Sequence, residues 1–166
     1  MVKARLNIRS DATDWRAKIL SNLALTPFRI GDICFRCVEA PLQGIKSEDP
    51  EVRKEIFAMD GFQAMRKGRE VVRTYGVDGP PFVYWHDERI PYHSTEHRLL
   101  IAMFIREKIR QNREVQEALL ETEGDFIYHD VGPENPNTTL PEKFYIEVLL
   151  YERRLLRKLQ SLSLAK

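Results

Sequence analysis

Val38 to Lys46 reads VEAPLQGIK. Glu39, Gln43 and Lys46 recur at i, i+4 and i+7, so a helix through this stretch carries an acid, an amide and an amine on one face. Val38, Leu42 and Ile45 flank that polar row. Pro41 fits such a helix only inside the first turn, where few backbone N–H partners are lost. Just upstream, Phe28 to Phe35 reads FRIGDICF, in which Gly31-Asp32 suits a tight hairpin turn between two short strands. A hairpin that feeds directly into a helix points to an α+β chain.

The same reading extends in both directions. Asp49-Pro50 is a helix start, with Asp49 as N-cap and Pro50 at the first helical position. Gly61 is expected to stop that helix, and a further helix covers roughly 63 to 75. Gly79-Pro80-Pro81 then breaks the chain before FVYW (82 to 85), a short aromatic strand. Ser94 to Arg110 and Arg113 to Glu121 read as helices, and FIYH (126 to 129) as a strand. Pro141 opens a closing helix in which Phe144, Val148, Tyr151 and Leu155 recur at helical spacing. At the other end Val2, Ala4, Leu6 and Ile8 alternate with Lys3, Arg5, Asn7 and Arg9, the period-two pattern of a half-buried strand. No repeat, low-complexity tract or long linker divides the sequence. The expectation is a single domain over 1–166, mostly helical, with a few short strands.

Composition narrows the class of function. The chain has 166 residues, long enough for a sizeable core in one ordinary domain. Hydrophobic residues at 43% and charged residues at 31% describe a soluble globular protein rather than a disordered one. A formal net charge of +1 provides no overall field to recruit nucleic acid or an anionic membrane, although a local cleft can still be basic. The longest apolar runs are too short to span a bilayer. The opening MVKARLNIRS lacks the apolar core of a signal peptide, and two cysteines do not make a secreted disulfide scaffold. A cytoplasmic location is expected. No pattern sets the oligomeric state.

Two short motifs carry competing chemistry. HSTEH, residues 93 to 97, matches the zinc pattern H-x-x-E-H, which would make His93 and His97 ligands and Glu96 the base of a zinc hydrolase. That geometry needs both histidines on successive turns of one helix. Ser94 is a good N-cap, however, and as the cap it leaves His93 outside the helix. Cys34-Phe35-Arg36-Cys37 is a C-x-x-C, but its first cysteine falls at a strand end rather than at a helix N-terminus, where a low thiol pKa would arise. Two small half-buried hydrophobes are the preferred reading. Tyr84 and Trp85 could stack on a base, but large aromatics on a strand are more often core.

The polar row has company along the chain. Ser21-Asn22 and Pro27-Phe28 precede it. Ala64, Gly68 and Arg69 follow, then Lys108, Gln111 and Asn112, then Leu119-Leu120-Glu121-Thr122 and Gly124-Asp125. In that order these residues resemble the NADAR, or YbiA-like, family. Its pattern runs S-N, P-F, E-x-x-x-Q-x-x-K, A-x-x-x-G-R, K-F-x-Q-N and L-L-x-T-G-D. The resemblance spans Ser21 to about Asp130. The chain differs from it at several points. Ala40 replaces a histidine, Pro41 an aromatic and Ile109 the phenylalanine of K-F. One residue is inserted before Gly124-Asp125, and the late W-G-x-G motif is absent.

The resemblance implies a YbiA-like α+β fold and hydrolysis of an N-glycosidic bond. The substrate would be a riboflavin-pathway ribosylamino-pyrimidine phosphate or ADP-ribosylated guanine in DNA. The partner is then a ribosyl-phosphate or ADP-ribosyl compound, and neither metal nor cofactor is called for. Cleaving such a bond develops positive charge at the anomeric carbon and negative charge on the departing base. Glu39 would stabilise the first or shuttle a proton, and Lys46 would attack the anomeric carbon as a neutral amine. Asp125 would serve as a second acid or sugar ligand. Asn22, Phe28 and Gln43 would contact substrate, and Arg69 offers a planar fork for phosphate. On residue pattern alone Lys108 and Asn112, within REKIRQNRE, belong to the scaffold. Two other readings stand beside the glycosidase: a non-catalytic nucleotide-binding protein on the same fold, and the zinc hydrolase.

Overall fold

A computed structural model of the chain describes residues 4–164. Among these residues there are seven helices and six short strands, which makes the α+β, mostly helical architecture expected above. The chain divides into two compact units, one formed by 1–21 with 109–166 and the other by 22–108. No helix among the described residues is long and apolar enough to cross a membrane.

The first unit is built from both ends of the chain. Strand β1 (Arg5–Asn7) lies parallel to the late strand Phe126–Tyr128, with Leu6 opposite Ile127. Ile8 N–H extends the ladder to the Tyr128 carbonyl at 2.8 Å. Leu6 and Ile8 are buried as the alternation requires, while Val2 and Lys3 of the same pattern lie outside the described residues. Helix α1 (Trp15–Leu20) starts where the Asp14 carboxylate accepts the Arg16 N–H. The helices Arg113–Glu121 and Glu142–Leu164 complete this unit, burying Ala118, Leu119, Tyr145 and Leu149. The Tyr145 hydroxyl donates to the Leu20 carbonyl at 2.6 Å, so a late helix is tied to an early one.

The second unit carries the polar row. Strands β2 (Phe28–Ile30) and β3 (Ile33–Phe35) pair antiparallel, and Gly31 takes φ +56 in the turn, where a residue without Cβ is favoured. Helix α2 (Glu39–Gly44) follows directly and packs on α3 (Pro50–Phe57) and α4 (Gly61–Arg73). Asp49 caps α3 as expected, its carboxylate accepting the Glu51 N–H at 2.8 Å. Gly61 does not stop that helix. It begins α4, behind a capping box formed by Asp60 and Gln63. Its glycine is needed for a close approach instead, because a Cβ there would lie 2.9 Å from the Leu23 Cα. Strand β4 (Phe82–Trp85) forms a hairpin with β5 (Glu88–Pro91), whose polar sequence gave no strand signal. Helix α5 (Thr95–Gln111) follows, and the unit boundary falls inside it. In unit two Phe28, Phe35, Phe57, Trp85 and Phe104 form a linked aromatic cluster. Numbered in chain order, the later elements of unit one are α6 (Arg113–Glu121), β6 (Phe126–Tyr128) and α7 (Glu142–Leu164).

Candidate active site

Backbone geometry first brings the polar row together. The Asn22 carbonyl accepts the Glu39 N–H at 3.0 Å and fixes where α2 begins. The helix ends at Gly44, so Lys46 is not a third helical residue as the spacing suggests. Instead the chain tightens: Lys46 N–H donates to the Gln43 carbonyl at 3.3 Å and Ser47 N–H to the Gly44 carbonyl at 3.1 Å. These three-residue closures keep Lys46 on the side of Glu39 and Gln43. The turn is held from outside α2. Tyr84 N–H donates to the Ile45 carbonyl at 2.7 Å, and the Tyr75 hydroxyl to the Lys46 carbonyl at 3.2 Å.

The three side chains form one hydrogen-bonded series. Lys46 Nζ donates to Gln43 Oε1 at 2.9 Å, and Gln43 Nε2 donates to Glu39 Oε1 at 2.6 Å. An amide suits the middle place because its oxygen can face the amine while its nitrogen faces the carboxylate. Its orientation is thereby fixed, and the amine and acid are held apart rather than neutralising each other in direct contact. Room for that amide comes from α4. A Cβ at Gly68 would lie 2.1 Å from Gln43 Oε1 and 2.8 Å from its Cβ. Ala64, one turn earlier, is fully buried with Cys37, Ala40 and Ile56. The A-x-x-x-G part of the motif is therefore a small-residue face that seats α2.

Burial sets the electrostatics. Lys46 is only 7% exposed. Loss of water pushes its amine down from 10.5 to about 8, against the opposing pull of Glu39. About one lysine in ten is thus a neutral amine at pH 7, far more than for an exposed lysine, and this is the form with a lone pair to attack. A second lysine, Lys108, is 2% exposed and is pushed by burial to about 7, with Cys37 acting in the opposite sense. The Cys37 thiol is itself raised to about 11, chiefly by burial, and it feels both Glu39 and Lys108. An inert thiol of this kind is core, and Cys34 is exposed and free.

Lys108 was read as scaffold because its neighbours are charged. The signal that places it inside is spacing. Ile101, Phe104 and Ile105 are buried, and Lys108 continues their stripe at i+7, i+4 and i+3. His97, four residues before Ile101, opens the same stripe and is 1% exposed.

The remaining expected residues fall into different surroundings. Asn22 is 9% exposed, and its Oδ1 has no hydrogen-bond partner. An orphan acceptor beside the start of α2 is a place for a ligand donor. Phe28 is buried and stacks on Phe35 with ring centroids 5.2 Å apart, so it supports the site from the core. Trp85 is half-buried in the same cluster, and Tyr84 lies beneath the Arg53 guanidinium. Arg69 is exposed on α4 next to Gly68, with Nη2 on Met65 Sδ at 3.7 Å. Asp125 belongs to the first unit, where Arg16 Nη1 binds its Oδ2 at 2.9 Å. As the Ser94 cap implied, His93 lies outside α5, in a left-handed conformation at φ +62. Among the described residues no third His, Cys, Asp or Glu joins the pair in a metal-sized group.

A buried amine linked through an amide to an acid, on a mostly helical α+β scaffold, defines a candidate small-molecule site. The family of Bacteriophage protein GP30.3 matches residues 14–154, and the chain belongs to this NADAR-type family. A 17.1 kDa protein of the Gp30–rIII intergenic region of Enterobacteria phage T4 is 29% identical over 148 residues, covering 88% of this chain and 95% of that protein. The NMR structure of E. coli YbiA superposes with a TM-score of 0.67 at 18% identity, over 96% of this chain and 89% of YbiA. At that identity the likeness establishes the fold.

Proposed function

We propose that the protein hydrolyses the N-glycosidic bond of a ribosylated substrate, with Lys46 as nucleophile and Glu39 as its acid–base partner. The observation that carries this reading is the half-buried Glu39–Gln43–Lys46 series, ending in a buried amine brought to about 8. A surface ion pair would need neither the burial nor the intervening amide. The substrate class is an ADP-ribosylated guanine or a ribosylamino-pyrimidine phosphate, in keeping with a NADAR-type family.

The chemistry balances with these groups. Neutral Lys46 Nζ forms a bond to the anomeric carbon as the carbon–nitrogen bond to the base breaks. The bonding pair leaves with the base; since Gln43 stands between the two groups, the proton that Nζ releases reaches Glu39 through water, and Glu39 passes it to the base. Opening of the sugar ring converts the lysyl adduct to an imine. Water then adds to the imine, releasing the sugar as a free aldehyde and restoring the amine. Asn22 Oδ1 accepts from a sugar hydroxyl or a base N–H in this scheme.

Wild type and Lys46→Ala are compared on both substrates, with released base followed by mass spectrometry and borohydride added to trap the imine. Wild type releases base and becomes covalently labelled, and Lys46→Ala does neither. The wild-type single-turnover rate climbs with pH and levels off above about 8, where the amine is neutral. Release by Lys46→Ala at the wild-type rate removes Lys46 from the mechanism. Tight ADP-ribose binding by wild type without release of base from either substrate favours a binding protein.

A further inference from the structure

His97 is a buried histidine with one nitrogen accounted for. The His93 backbone N–H donates to His97 Nδ1 at 3.1 Å. A backbone amide can only donate, so Nδ1 must accept, and the neutral ring carries its proton on Nε2. That Nε2 is buried and has no hydrogen-bond partner. A buried N–H left unpaired is a destabilising feature that a bound acceptor would relieve. The donor amide belongs to His93 at φ +62, a conformation unfavourable for a non-glycine residue. The molecule thus uses a strained residue to fix the tautomer of a ring whose other end is unsatisfied. Ser94 Oγ accepts the His97 N–H at 3.2 Å and Tyr92 lies over the ring at 5.0 Å, so the ring has little freedom.

The surroundings favour a neutral acceptor for this N–H. Burial, with the nearby His93, Lys46 and Arg98 charges, pushes the imidazole down to about 4, so it stays uncharged. The same influence from Lys46 reaches His93. A phosphate would draw a second proton onto the ring, which the bond from His93 to Nδ1 opposes. The strongest neutral acceptor shared by guanine and the ribosylamino-pyrimidine is a ring carbonyl oxygen.

We propose that His97 is a specificity-determining residue, donating its Nε2–H to the ring carbonyl of the base that reacts at Lys46 and selecting oxo-bases against bases without that oxygen. The inference rests on the ribosylated-base reading given above. It is tested by binding rather than turnover. Guanosine 5′-monophosphate and 2-aminopurine riboside 5′-monophosphate, which differ at the C6 carbonyl and its accompanying ring proton, are titrated into wild type, His97→Gln and His97→Phe. Protein labelled with ¹⁵N-histidine reports the Nε2–H resonance.

Wild type prefers the guanosine nucleotide by roughly tenfold or more, the worth of one buried hydrogen bond with an unpaired alternative. The Nε2–H resonance shifts on binding. His97→Gln retains a donor and most of the preference, and His97→Phe loses it. Circular dichroism confirms that each variant is folded, and failure of His97→Phe to fold leaves His97→Gln and the resonance to decide. Equal affinities in wild type, no binding of either nucleotide, or an unmoved resonance overturns the assignment. Base release that depends on Lys46 without the guanosine preference removes His97 alone. The preference without base release removes the glycosidase alone.

Discussion

At the scale of single residues, a buried amine is a stability cost. The Lys46 pKa falls from 10.5 to about 8, so between those values the folded protein binds fewer protons than the unfolded chain. Stability therefore rises with pH through that window, and the penalty is complete below about 8. At about 1.4 kcal/mol per pH unit, a fall of 10.5 − 8 amounts to roughly 3 kcal/mol at pH 7. Lys46→Met removes this penalty but leaves Gln43 Oε1 without its donor, which returns about 1–2 kcal/mol. The expected outcome is a variant that is inactive and about 1–2 kcal/mol more stable than wild type at pH 7. Urea unfolding at pH 7 and at pH 10 checks it, since the gain shrinks at the higher pH. A variant less stable at pH 7 would mean that Lys46 lies in a wetter place than its burial indicates. Such effects are not legible in sequence. The acid–amide–amine row was visible, but the burial of Lys46 depends on α3 and α4 packing on α2 and on Tyr84 holding the turn that follows it. Lys108 and His97 were hidden for the opposite reason: flanking charges mask an apolar stripe that spacing alone would have completed.

Local chemistry explains which elements could be read. Asp49-Pro50 and Gly31-Asp32 act locally, through the Asp49 carboxylate and the Gly31 backbone, so α3 and the β2–β3 turn fall where expected. Gly61 was misread because a glycine serves equally at a helix start, and the capping box of Asp60 and Gln63 was the stronger signal. The early end of α2 was not legible, since the tightened turn over Gln43 to Ser47 depends on outside bonds from Tyr75 and Tyr84. Packing of α2 on α4 yields a prediction at this scale. Gly68→Ala gains up to about 1 kcal/mol in helix propensity, and overpacking costs about 1–3 kcal/mol. The end of the Gln43 side chain can swing away from the new methyl, but its Cβ, 2.8 Å from that position, moves only with α2. Thermal melting is expected to fall by a few degrees, and base release falls at least as far as in Gln43→Ala, because the amide no longer links Lys46 to Glu39. A Gly68→Ala protein with wild-type activity would show that the bridging amide is dispensable.

For the molecule as a whole, the sequence contains no linker at either point where the chain passes between its two compact units. One boundary falls at Ser21-Asn22 and the other inside α5, at Lys108-Ile109. Helical periodicity runs straight through the second, so no compositional change marks it. The first unit joins the two ends of the chain through the parallel β1–β6 pair and the Tyr145–Leu20 bond, contacts of very long sequence separation that pattern reading does not reach. Asp125 belongs to that framework. Its carboxylate binds Arg16, which also donates to the Glu121 carbonyl at 3.0 Å, and Asp125 N–H donates to the Thr122 carbonyl at 2.9 Å. A carboxylate engaged this way joins α1 to the turn between α6 and β6, which accounts for its place after Gly124 without a role in bond cleavage. Asp125→Asn keeps the shape and weakens the ion pair, a largely enclosed one, at a cost of about 1–3 kcal/mol. Urea unfolding should register that loss, while kcat/KM, measured well below the unfolding transition, stays within about threefold of wild type. A hundredfold fall in kcat with unchanged stability would instead return Asp125 to the acid–base machinery that its motif suggests.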